Sequence, residues 1–335
     1  MNQQIRLKSR PAGEPTADNF ELAETAVPTA REGYVLRRTI YLSLDPYMRG
    51  RMSDVPSYAK PVGIGQVMEG RTVSEVATSN CDGFAAGDIV FSPHGWQTHG
   101  VSTGAGVRKL DPKQAPISTA LGVLGMPGMT AYTGLLEIGR PQAGETVVVS
   151  AASGAVGSLV GQIAKTKGAR AVGIAGGPDK CRYVMDELGF DACIDHRGGE
   201  LPARLKEACP NGVDVYFENV GGAVFEAVFP VLNNFARVPV CGQIATYNAT
   251  EMPVGSLPTS ALTRAILTKR LTLRGFIVTD FAARHADFLR EVSAWLKEGR
   301  IKYREDVVDG LEKAPRALIG LLRGENFGKL LVRVS

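Results

Sequence analysis

The stretch ETVVVSAASGAVGSLVGQIAKTKGARAVGIAGG, residues 145–177, predicts a strand, a glycine turn, a helix and a second strand. The β-branched run at residues 147–149 is typical of a strand that is buried on both faces. Apolar residues recur at helical spacing over residues 159–164, and Gly168 lies where a glycine would end that helix. A strand that leads through small residues into a helix presents backbone N–H groups at the helix's positive end, where a pyrophosphate can bind. The stretch therefore predicts a dinucleotide site at residues 153–157.

The glycine pattern of this turn is AxxGxxG, formed by Ala151, Gly154 and Gly157, and not the commoner GxGxxG. Taken alone, three small residues are equally compatible with an ordinary turn between a strand and a helix. The preceding strand, the following helix and the second strand are all present at the length of a βαβ unit. This context favours the dinucleotide site.

The end of the second strand predicts which dinucleotide binds. NAD sites usually place an acidic residue about 20 positions beyond the glycines, where it accepts a hydrogen bond from the ribose 2′-OH. Here that position is Gly176-Gly177, and Asp179, Lys180 and Arg182 follow at the start of a new helix. An ammonium group and helix N–H groups can hold a 2′-phosphate there, which favours NADPH over NADH. The alternative is that Lys180 is a solvated surface residue, as most lysines are.

The composition narrows the class of protein. A length of 335 residues suits two domains, and a net charge of +4 is too small to favour a nucleic-acid partner. No apolar run reaches the length that a membrane helix needs, and the first twenty residues contain no apolar core of a secretory signal. Five cysteines without close pairing are typical of reduced thiols, so we expect a cytoplasmic protein.

Two regions with different patterns suggest the domain organisation. Residues 1–124 carry short strand-like segments at 34–36, 39–42 and 88–91, separated by Gly, Pro, Asp and Asn, which predicts a β-rich domain. From residue 125, apolar runs alternate with helical segments, which predicts a doubly wound parallel α/β sheet of six strands. Beyond the first unit, the predicted strands are 192–195, 213–217, 236–240 and 271–278, and the predicted helices include 178–188, 222–232 and 281–297.

The last residues predict a return to the first domain. Segments 304–308 and 329–334 resemble strands, and they flank a helix at 311–323. We therefore assign residues 1–124 and 300–335 to one discontinuous domain and residues 125–299 to a dinucleotide-binding domain.

The ligands of a zinc-dependent alcohol dehydrogenase are missing from the sequence. The first domain carries Cys81, and its two histidines, His94 and His99, lie on either side of a Trp. Two histidines without a third ligand are more often surface or hydrogen-bonded residues than a metal site. We predict no bound metal.

Tyr247 is the candidate catalytic residue. It follows the fifth predicted strand of the α/β domain, and ligands of open α/β sheets bind beyond the carboxyl ends of the strands. Its phenol can donate a hydrogen bond to a substrate carbonyl as negative charge develops there. The alternative is a tyrosine that packs beside the cofactor without a chemical role. Asn219 occupies the equivalent position one unit earlier, where it can bond cofactor hydroxyls or cap the following helix.

Six motifs together resemble the zinc-free medium-chain dehydrogenase/reductases, in the branch of prostaglandin reductases, alkenal double-bond reductases and bacterial curcumin reductases. In chain order they are LSLDPYMRGRM (42–52), GMPGMTAY (125–132), AASGAVGS (151–158), FENVGG (217–222), CGQIATYN (241–248) and ENFGK (325–329). The resemblance spans nearly the whole chain. It implies a Rossmann domain together with a GroES-like β-rich domain that is discontinuous in sequence.

The resemblance also implies the site residues. The cofactor contacts that it implies are Gly154, Ala155, Val156, Gly157, Lys180, His196, Asn219, Cys241, Gly242, Tyr247, Phe276, Ile277, Val278 and Asn326. We expect Tyr47 and Tyr58 to contact the substrate, and the loops 51–60 and 248–258 to determine which substrate binds. His196 stands where many relatives have Tyr, although the curcumin reductase-like members also have His. A histidine near a 2′-phosphate can bond it or partly charge with pH.

The activity that the resemblance implies is NADPH-dependent reduction of the C=C bond of α,β-unsaturated ketones and aldehydes, usually by homodimers. Hydride would be added at the β-carbon, and the enolate oxygen would be stabilised by Tyr247 or by a ribose hydroxyl. The partners are then a small-molecule substrate and a second copy of the chain, with neither nucleic acid nor membrane. Two alternatives stay open, an NADPH-dependent quinone reductase and an NADPH-binding protein with a structural or sensory role.

Overall fold

The computed structural model describes residues 1–251 and 257–335. Its strands are β1 (Asn2–Leu7), β2 (Phe20–Thr25), β3 (Tyr34–Ser43), β4 (Arg71–Ser79), β5 (Ile89–Pro93), β6 (His99–Thr103), β7 (Arg108–Lys109), β8 (Thr146–Ser150), β9 (Arg170–Ala175), β10 (Ala192–Asp195), β11 (Val213–Phe217), β12 (Leu232–Val240), β13 (Thr272–Gly275), β14 (Glu305–Asp309) and β15 (Lys329–Arg333).

The α-helices are α1 (Met48–Arg51), α2 (Met126–Thr133), α3 (Gly157–Thr166), α4 (Pro178–Asp186), α5 (Leu201–Ala208), α6 (Gly222–Val228), α7 (Thr259–Lys269), α8 (His285–Lys297) and α9 (Ala314–Leu322). Internal contacts divide the chain into two compact units, Met1–Gly122 with Glu305–Ser335, and Val123–Arg304. We call these the β unit and the α/β unit.

The α/β unit contains a six-stranded parallel sheet in the order β10-β9-β8-β11-β12-β13. This is the strand order of a doubly wound dinucleotide-binding fold, with its switch point between β8 and β11. Val147, Val148 and Val149 on β8 are fully buried, as expected for a central strand with helices on both faces. The predicted fold class is confirmed.

Close packing of α3 against the loop between α4 and β10 explains one of its glycines. A Cβ on Gly161 would lie 1.9 Å from the Phe190 ring, so only glycine allows this approach. The helix ends at Thr166, and Gly168 follows with φ +76°, the left-handed conformation that glycine adopts readily. The local sequence therefore sets both the position and the length of α3.

The β unit contains a seven-stranded mixed sheet. Six of its strands follow the order β14-β15-β3-β4-β5-β7, and β6 pairs with β3. β14 and β15 are parallel, whereas the other pairs are antiparallel. The carboxyl-terminal strands thus join a sheet that is formed mainly by the first part of the chain, and a separate hairpin pairs β1 with β2.

Several predicted boundaries were wrong. The segments 34–36 and 39–42 belong to one strand, β3, because pairing with β4 and β6 continues across Arg37 and Arg38. The predicted strand 271–278 is paired only over Thr272–Gly275, where β12 provides the partner. The predicted helix 281–297 covers two helices. Its first residues belong to the 3-10 helix Val278–Arg284, and α8 follows from His285.

Other elements were shortened or missed. The predicted helix 222–232 ends as α6 at Val228, and the following residues 229–231 form a 3-10 turn before β12 begins. The sequence analysis did not identify α5 or α7. Among the described residues, no helix has both the length and the apolar character needed to cross a membrane.

Candidate functional site

The turn between β8 and α3 is built for close approach of a ligand to the backbone. Ala151 adopts φ 52°, and its carbonyl accepts a 2.9 Å hydrogen bond from Gly154 N. A Cβ on Gly157 would lie 2.3 Å from that carbonyl oxygen, so the tight turn requires glycine there. The i to i−4 bond from Ser158 N to Gly154 O is 3.0 Å long. The N–H groups just before Ser158 therefore lie at the helix start, where a phosphate binds.

The end of β9 carries a small basic cluster. A Cβ on Gly176 would lie 3.0 Å from Arg197 Nε and 3.1 Å from His196 Nε2, so both side chains lie against this glycine. Lys180 is half-buried in the first turn of α4. Positive groups therefore lie where an NAD site would place an acid, which is the arrangement that suits a 2′-phosphate.

The nearest carboxylate does not replace the missing acid. Asp195 Oδ1 accepts hydrogen bonds from Gly177 N at 2.8 Å and from Arg197 N at 2.9 Å. These backbone donors hold the pKa of Asp195 below its ordinary value. The Asp195 carboxylate thus shapes the turn around Gly176.

His196 is electrostatically linked to this cluster. Desolvation lowers the pKa of its imidazole, and the charges of Arg197 and Lys180 lower the pKa further, against an opposing effect of Asp195. The imidazole is therefore mainly neutral at pH 7 in the ligand-free protein. Arg197 was not predicted, although it directly follows His196, and this adjacency to a predicted contact is the signal that could have identified it.

The ends of β8 and β11 are joined by Asn219. Its backbone N–H donates to Ser150 Oγ and its side-chain Nδ2 donates to Ser150 O, both at 2.8 Å. The Asn219 amide is thus oriented by the neighbouring strand and does not cap α6. The N–H groups before α6 are bonded instead by the carboxylate of Glu218.

Tyr247 follows β12 and directly succeeds the 3-10 turn Ile244–Thr246. Its phenol oxygen accepts a hydrogen bond from Gln243 N at 3.4 Å and would lie 3.2 Å from a Cβ on Gly242. Cys241 N and Gly242 N both donate to Glu218 O, at 2.8 and 3.2 Å. The structure therefore places Asn219, Gly242 and Tyr247 at one edge of the sheet. Burial raises the pKa of the Cys241 thiol to about 12, so Cys241 is a neutral thiol and not a nucleophile.

Phe276, Ile277 and Val278 follow β13, but their side chains do not share one role. The Phe276 ring is buried in the core and meets Phe217 edge-on, with the ring centroids 6.3 Å apart. Only its main chain is left to contact a cofactor. Ile277 N donates to Asp280 Oδ2 at 3.0 Å, which sets the start of the 3-10 helix.

In the β unit, Tyr47 and Tyr58 converge on Arg51. The Arg51 guanidinium carbon lies 5.5 Å from the Tyr47 ring centroid and 4.4 Å from the Tyr58 ring centroid, and Arg51 Nε pairs with Glu69 at 2.9 Å. Tyr58 is largely exposed, whereas burial raises the pKa of the half-buried Tyr47 phenol well above its ordinary value. The sequence analysis did not identify Arg51 as the group that connects them.

Asn326 lies in the same unit, in the loop before β15, and its Nδ2 donates to Gly328 O at 2.8 Å. Part of the predicted substrate loop 248–258, residues 252–256, lies outside the described residues.

Within the described residues, no group of three or more His, Cys, Asp or Glu side chains is placed to hold a metal ion.

Comparisons with known proteins identify the family of the chain. Residues 3–110 match the family model described as the N-terminal domain of oxidoreductase, and residues 155–298 match the model described as zinc-binding dehydrogenase. The chain is 53% identical to the NADPH-dependent curcumin reductase of Escherichia coli strain K12, covering 100% of this chain and 97% of the relative.

Two further similarities extend the comparison. The chain is 40% identical to the NADP(+)-dependent 2-alkenal reductase of Nicotiana tabacum, covering 100% of this chain and 98% of the relative. The crystal structure of CurA from Vibrio vulnificus in complex with NADPH superposes with a TM-score of 0.96 at 52% identity, covering 99% of each chain.

Proposed function

Because the chain belongs to the zinc-free medium-chain dehydrogenase/reductases, in the branch of curcumin, prostaglandin and alkenal reductases, we propose that it is an NADPH-dependent reductase of the C=C bond in α,β-unsaturated ketones and aldehydes. The α/β unit is its NADP-binding domain, and the β unit is its GroES-like substrate domain. A bound NADPH would supply the hydride that is added to the β-carbon of the substrate, and the resulting enolate would take a proton from solvent at its α-carbon.

The basic cluster at Gly176 is the observation that favours NADPH over NADH as the cofactor. The turn at Gly154 and Gly157 leaves room for a pyrophosphate, and Lys180 and Arg197 supply positive charge for a 2′-phosphate. His196 in its neutral form can still exchange a hydrogen bond with that phosphate. The NADPH-bound crystal structure of a protein that is 52% identical supports the same assignment.

Tyr247 is the proposed hydrogen-bond donor to the substrate oxygen. Its phenol is only half-buried and lies at the carboxyl edge of the sheet, where ligands of this fold bind. Negative charge grows on the carbonyl oxygen as the β-carbon is reduced, so a donor aimed at that oxygen stabilises the transition state. The proposal further assigns cofactor contacts to Asn219, Cys241, Gly242, residues 276–278 and Asn326, and substrate contacts to Tyr47 and Tyr58.

The proposal is tested by mixing the purified protein with NADPH and a small enone, and then identifying the product. Loss of NADPH with formation of the saturated ketone supports it. Turnover of quinones but not of enones would favour a quinone reductase. Tight NADPH binding without any turnover would favour a structural or sensory protein.

We also propose that the chain forms a homodimer through β13. β13 is one of the two outer strands of the parallel sheet, and an outer strand can pair with another chain. Leu267 on α7 and Phe235 on β12 are 76% and 60% exposed, so large apolar side chains are available on the same unit. Light scattering at micromolar concentration tests this assembly, and a stable monomer would contradict it. A cytoplasmic location, expected from the cysteine content, remains part of the proposal.

A further inference from the structure

Glu218 is a buried carboxylate at the end of β11, and the function proposed above gives it no role. Its exposed fraction is 1%. Oε1 accepts hydrogen bonds from Val220 N and from Gly221 N, the latter at 2.9 Å, and lies 3.1 Å from Ser150 Oγ. Oε2 accepts from the Tyr216 hydroxyl at 2.7 Å. Four donors therefore converge on one side chain.

The main chain of Glu218 connects the third strand of the group. Its N–H donates to Pro239 O at 3.0 Å, and its carbonyl accepts from Cys241 N and Gly242 N. Ser150 ends β8, Glu218 follows β11, and residues 239–242 span the end of β12 and the start of the following loop. One residue thus holds the ends of three neighbouring strands at the switch point of the sheet, where ligands of this fold bind.

No cation pairs with this carboxylate within residues 1–251 and 257–335. A buried charge without a partner is costly unless hydrogen bonds satisfy it, and four oriented donors provide that compensation. Burial and the adjacent carboxylate raise the pKa of Tyr216 well above its ordinary value, so the phenol keeps its proton and remains a donor. The arrangement is therefore a complete acceptor site and not a general base facing solvent.

Glu218 is connected to residues that are assigned to the cofactor: its main-chain carbonyl accepts from Cys241 N and Gly242 N, and its carboxylate reaches Asn219 through Ser150. Ser150 Oγ contacts Glu218 Oε1 and accepts the backbone N–H of Asn219, so it connects the carboxylate to the cofactor residue. The second half of a doubly wound sheet binds the nicotinamide half of a dinucleotide, whereas the first half binds the adenosine half. Asn219 and Gly242 belong to the second half, and Lys180 belongs to the first.

We propose that Glu218 is a positioning residue whose carboxylate fixes the ends of β8 and β11 for the nicotinamide half of NADPH, acting as a hydrogen-bond acceptor. The inference rests on the proposed function. It predicts that loss of the acceptor weakens binding of whole NADPH and leaves binding of an adenosine fragment unchanged.

The test uses two substitutions at one position with opposite expectations. Glu218→Ala removes all four acceptor contacts. Glu218→Gln keeps one carbonyl oxygen for Ser150, Val220 and Gly221, and its amide N–H can donate to the Tyr216 hydroxyl, which is able to accept. Glu207→Gln, on the exposed surface of α5, is the matched control for removal of a carboxylate.

Calorimetric titration of the full chain measures binding of NADPH and of adenosine 2′,5′-bisphosphate, below the melting temperature of each variant. We expect Glu218→Ala to raise the NADPH Kd roughly ten-fold or more, because Asn219 loses its fixed position and only a fraction of the molecules then hold the binding-competent arrangement. Its affinity for the adenosine fragment should stay unchanged, and Glu218→Gln should bind NADPH within about three-fold of the wild type.

Three results would overturn the inference: an unchanged NADPH Kd in Glu218→Ala, an equal loss for both ligands, or a Glu218→Gln variant as weak as the alanine variant. If Glu218→Ala does not fold, Ser150→Ala replaces it, since it breaks the connection to Asn219. Wild-type NADPH affinity in a folded Ser150→Ala protein then overturns the inference. Failure of the wild type itself to bind NADPH would instead contradict the proposed function.

Discussion

Replacing Lys180 by alanine should separate the two nicotinamide cofactors. Lys180 is half-buried beside the glycine that replaces the acid of an NAD site, and its charge reaches His196. A charge-assisted hydrogen bond contributes about 1.5–3 kcal/mol, so its loss should raise the NADPH Michaelis constant roughly ten- to a hundred-fold. NADH has no 2′-phosphate, so its Michaelis constant should hardly change.

Arg197→Ala should also raise the NADPH Michaelis constant, but by a factor near the lower end of that range. Its side chain is exposed, and solvent and salt screen exposed charges. Arg182→Ala is the matched control on α4, because Arg182 is exposed and pairs with Asp179. Arg182→Ala should leave the Michaelis constants of both NADPH and NADH unchanged.

The assay is steady-state kinetics with NADPH and NADH for the wild type and the three variants, at low and high ionic strength. Higher ionic strength should reduce the difference between the wild type and Arg197→Ala. Equal use of both cofactors by the wild type, or an equal loss for both cofactors in Lys180→Ala, would refute the assignment of the 2′-phosphate site.

Three further predictions concern single residues. Tyr247→Phe should lower kcat and kcat/KM together by roughly ten-fold or more in enone reduction, because the donor acts as charge develops, and an unchanged rate would leave Tyr247 as a packing residue. Gly157→Ala should lower the melting temperature without cofactor, since its Cβ would lie 2.3 Å from Ala151 O, and a wild-type melting curve would contradict the geometry of the turn. Burial lowers the pKa of His94 to about 3. Between about pH 6.5 and pH 3, the unfolded chain therefore binds a proton at this imidazole and the folded protein does not. Stability should therefore fall as pH drops from about 6.5 towards 3, by on the order of 4–5 kcal/mol, and denaturant titrations of His94→Gln should show a shallower fall.

The part of the fold that could be predicted from sequence is the part with strong local signals. The segments 192–195 and 213–217 coincide with β10 and β11, because short apolar runs between turn residues mark buried parallel strands. The predicted segments 34–36 and 39–42 leave out Arg37 and Arg38, whose charged side chains interrupt the apolar pattern of β3. In the structure the Arg37 side chain is buried, and pairing on both edges keeps the strand continuous.

The misplaced end of β13 has a similar cause. The apolar residues 276–278 were interpreted as strand, but the Phe276 ring is buried by packing against Phe217 and not by strand pairing. A run of apolar letters does not distinguish these two ways of burying a side chain.

The residues of the candidate site also differ in how well the sequence predicts them. The glycines of the first turn and Lys180 could be identified because their spacing from the strand ends is set by the βαβ unit. The roles of Arg197, Arg51 and Glu218 could not be predicted. Each role depends on contacts with residues that are distant in sequence or that belong to no motif. Glu218 is close to Ser150 only because β8 and β11 are adjacent in the sheet.

The most direct test of the central claim follows the position of a labelled hydride. The purified protein is incubated with an α,β-unsaturated ketone and NADPH that carries deuterium on the transferred position, and the product is examined by NMR and mass spectrometry. We expect a saturated ketone with deuterium on the β-carbon and one NADPH consumed per molecule of product. Deuterium on the carbonyl carbon of an allylic alcohol, or no consumption of NADPH across a panel of enones and enals, would contradict it.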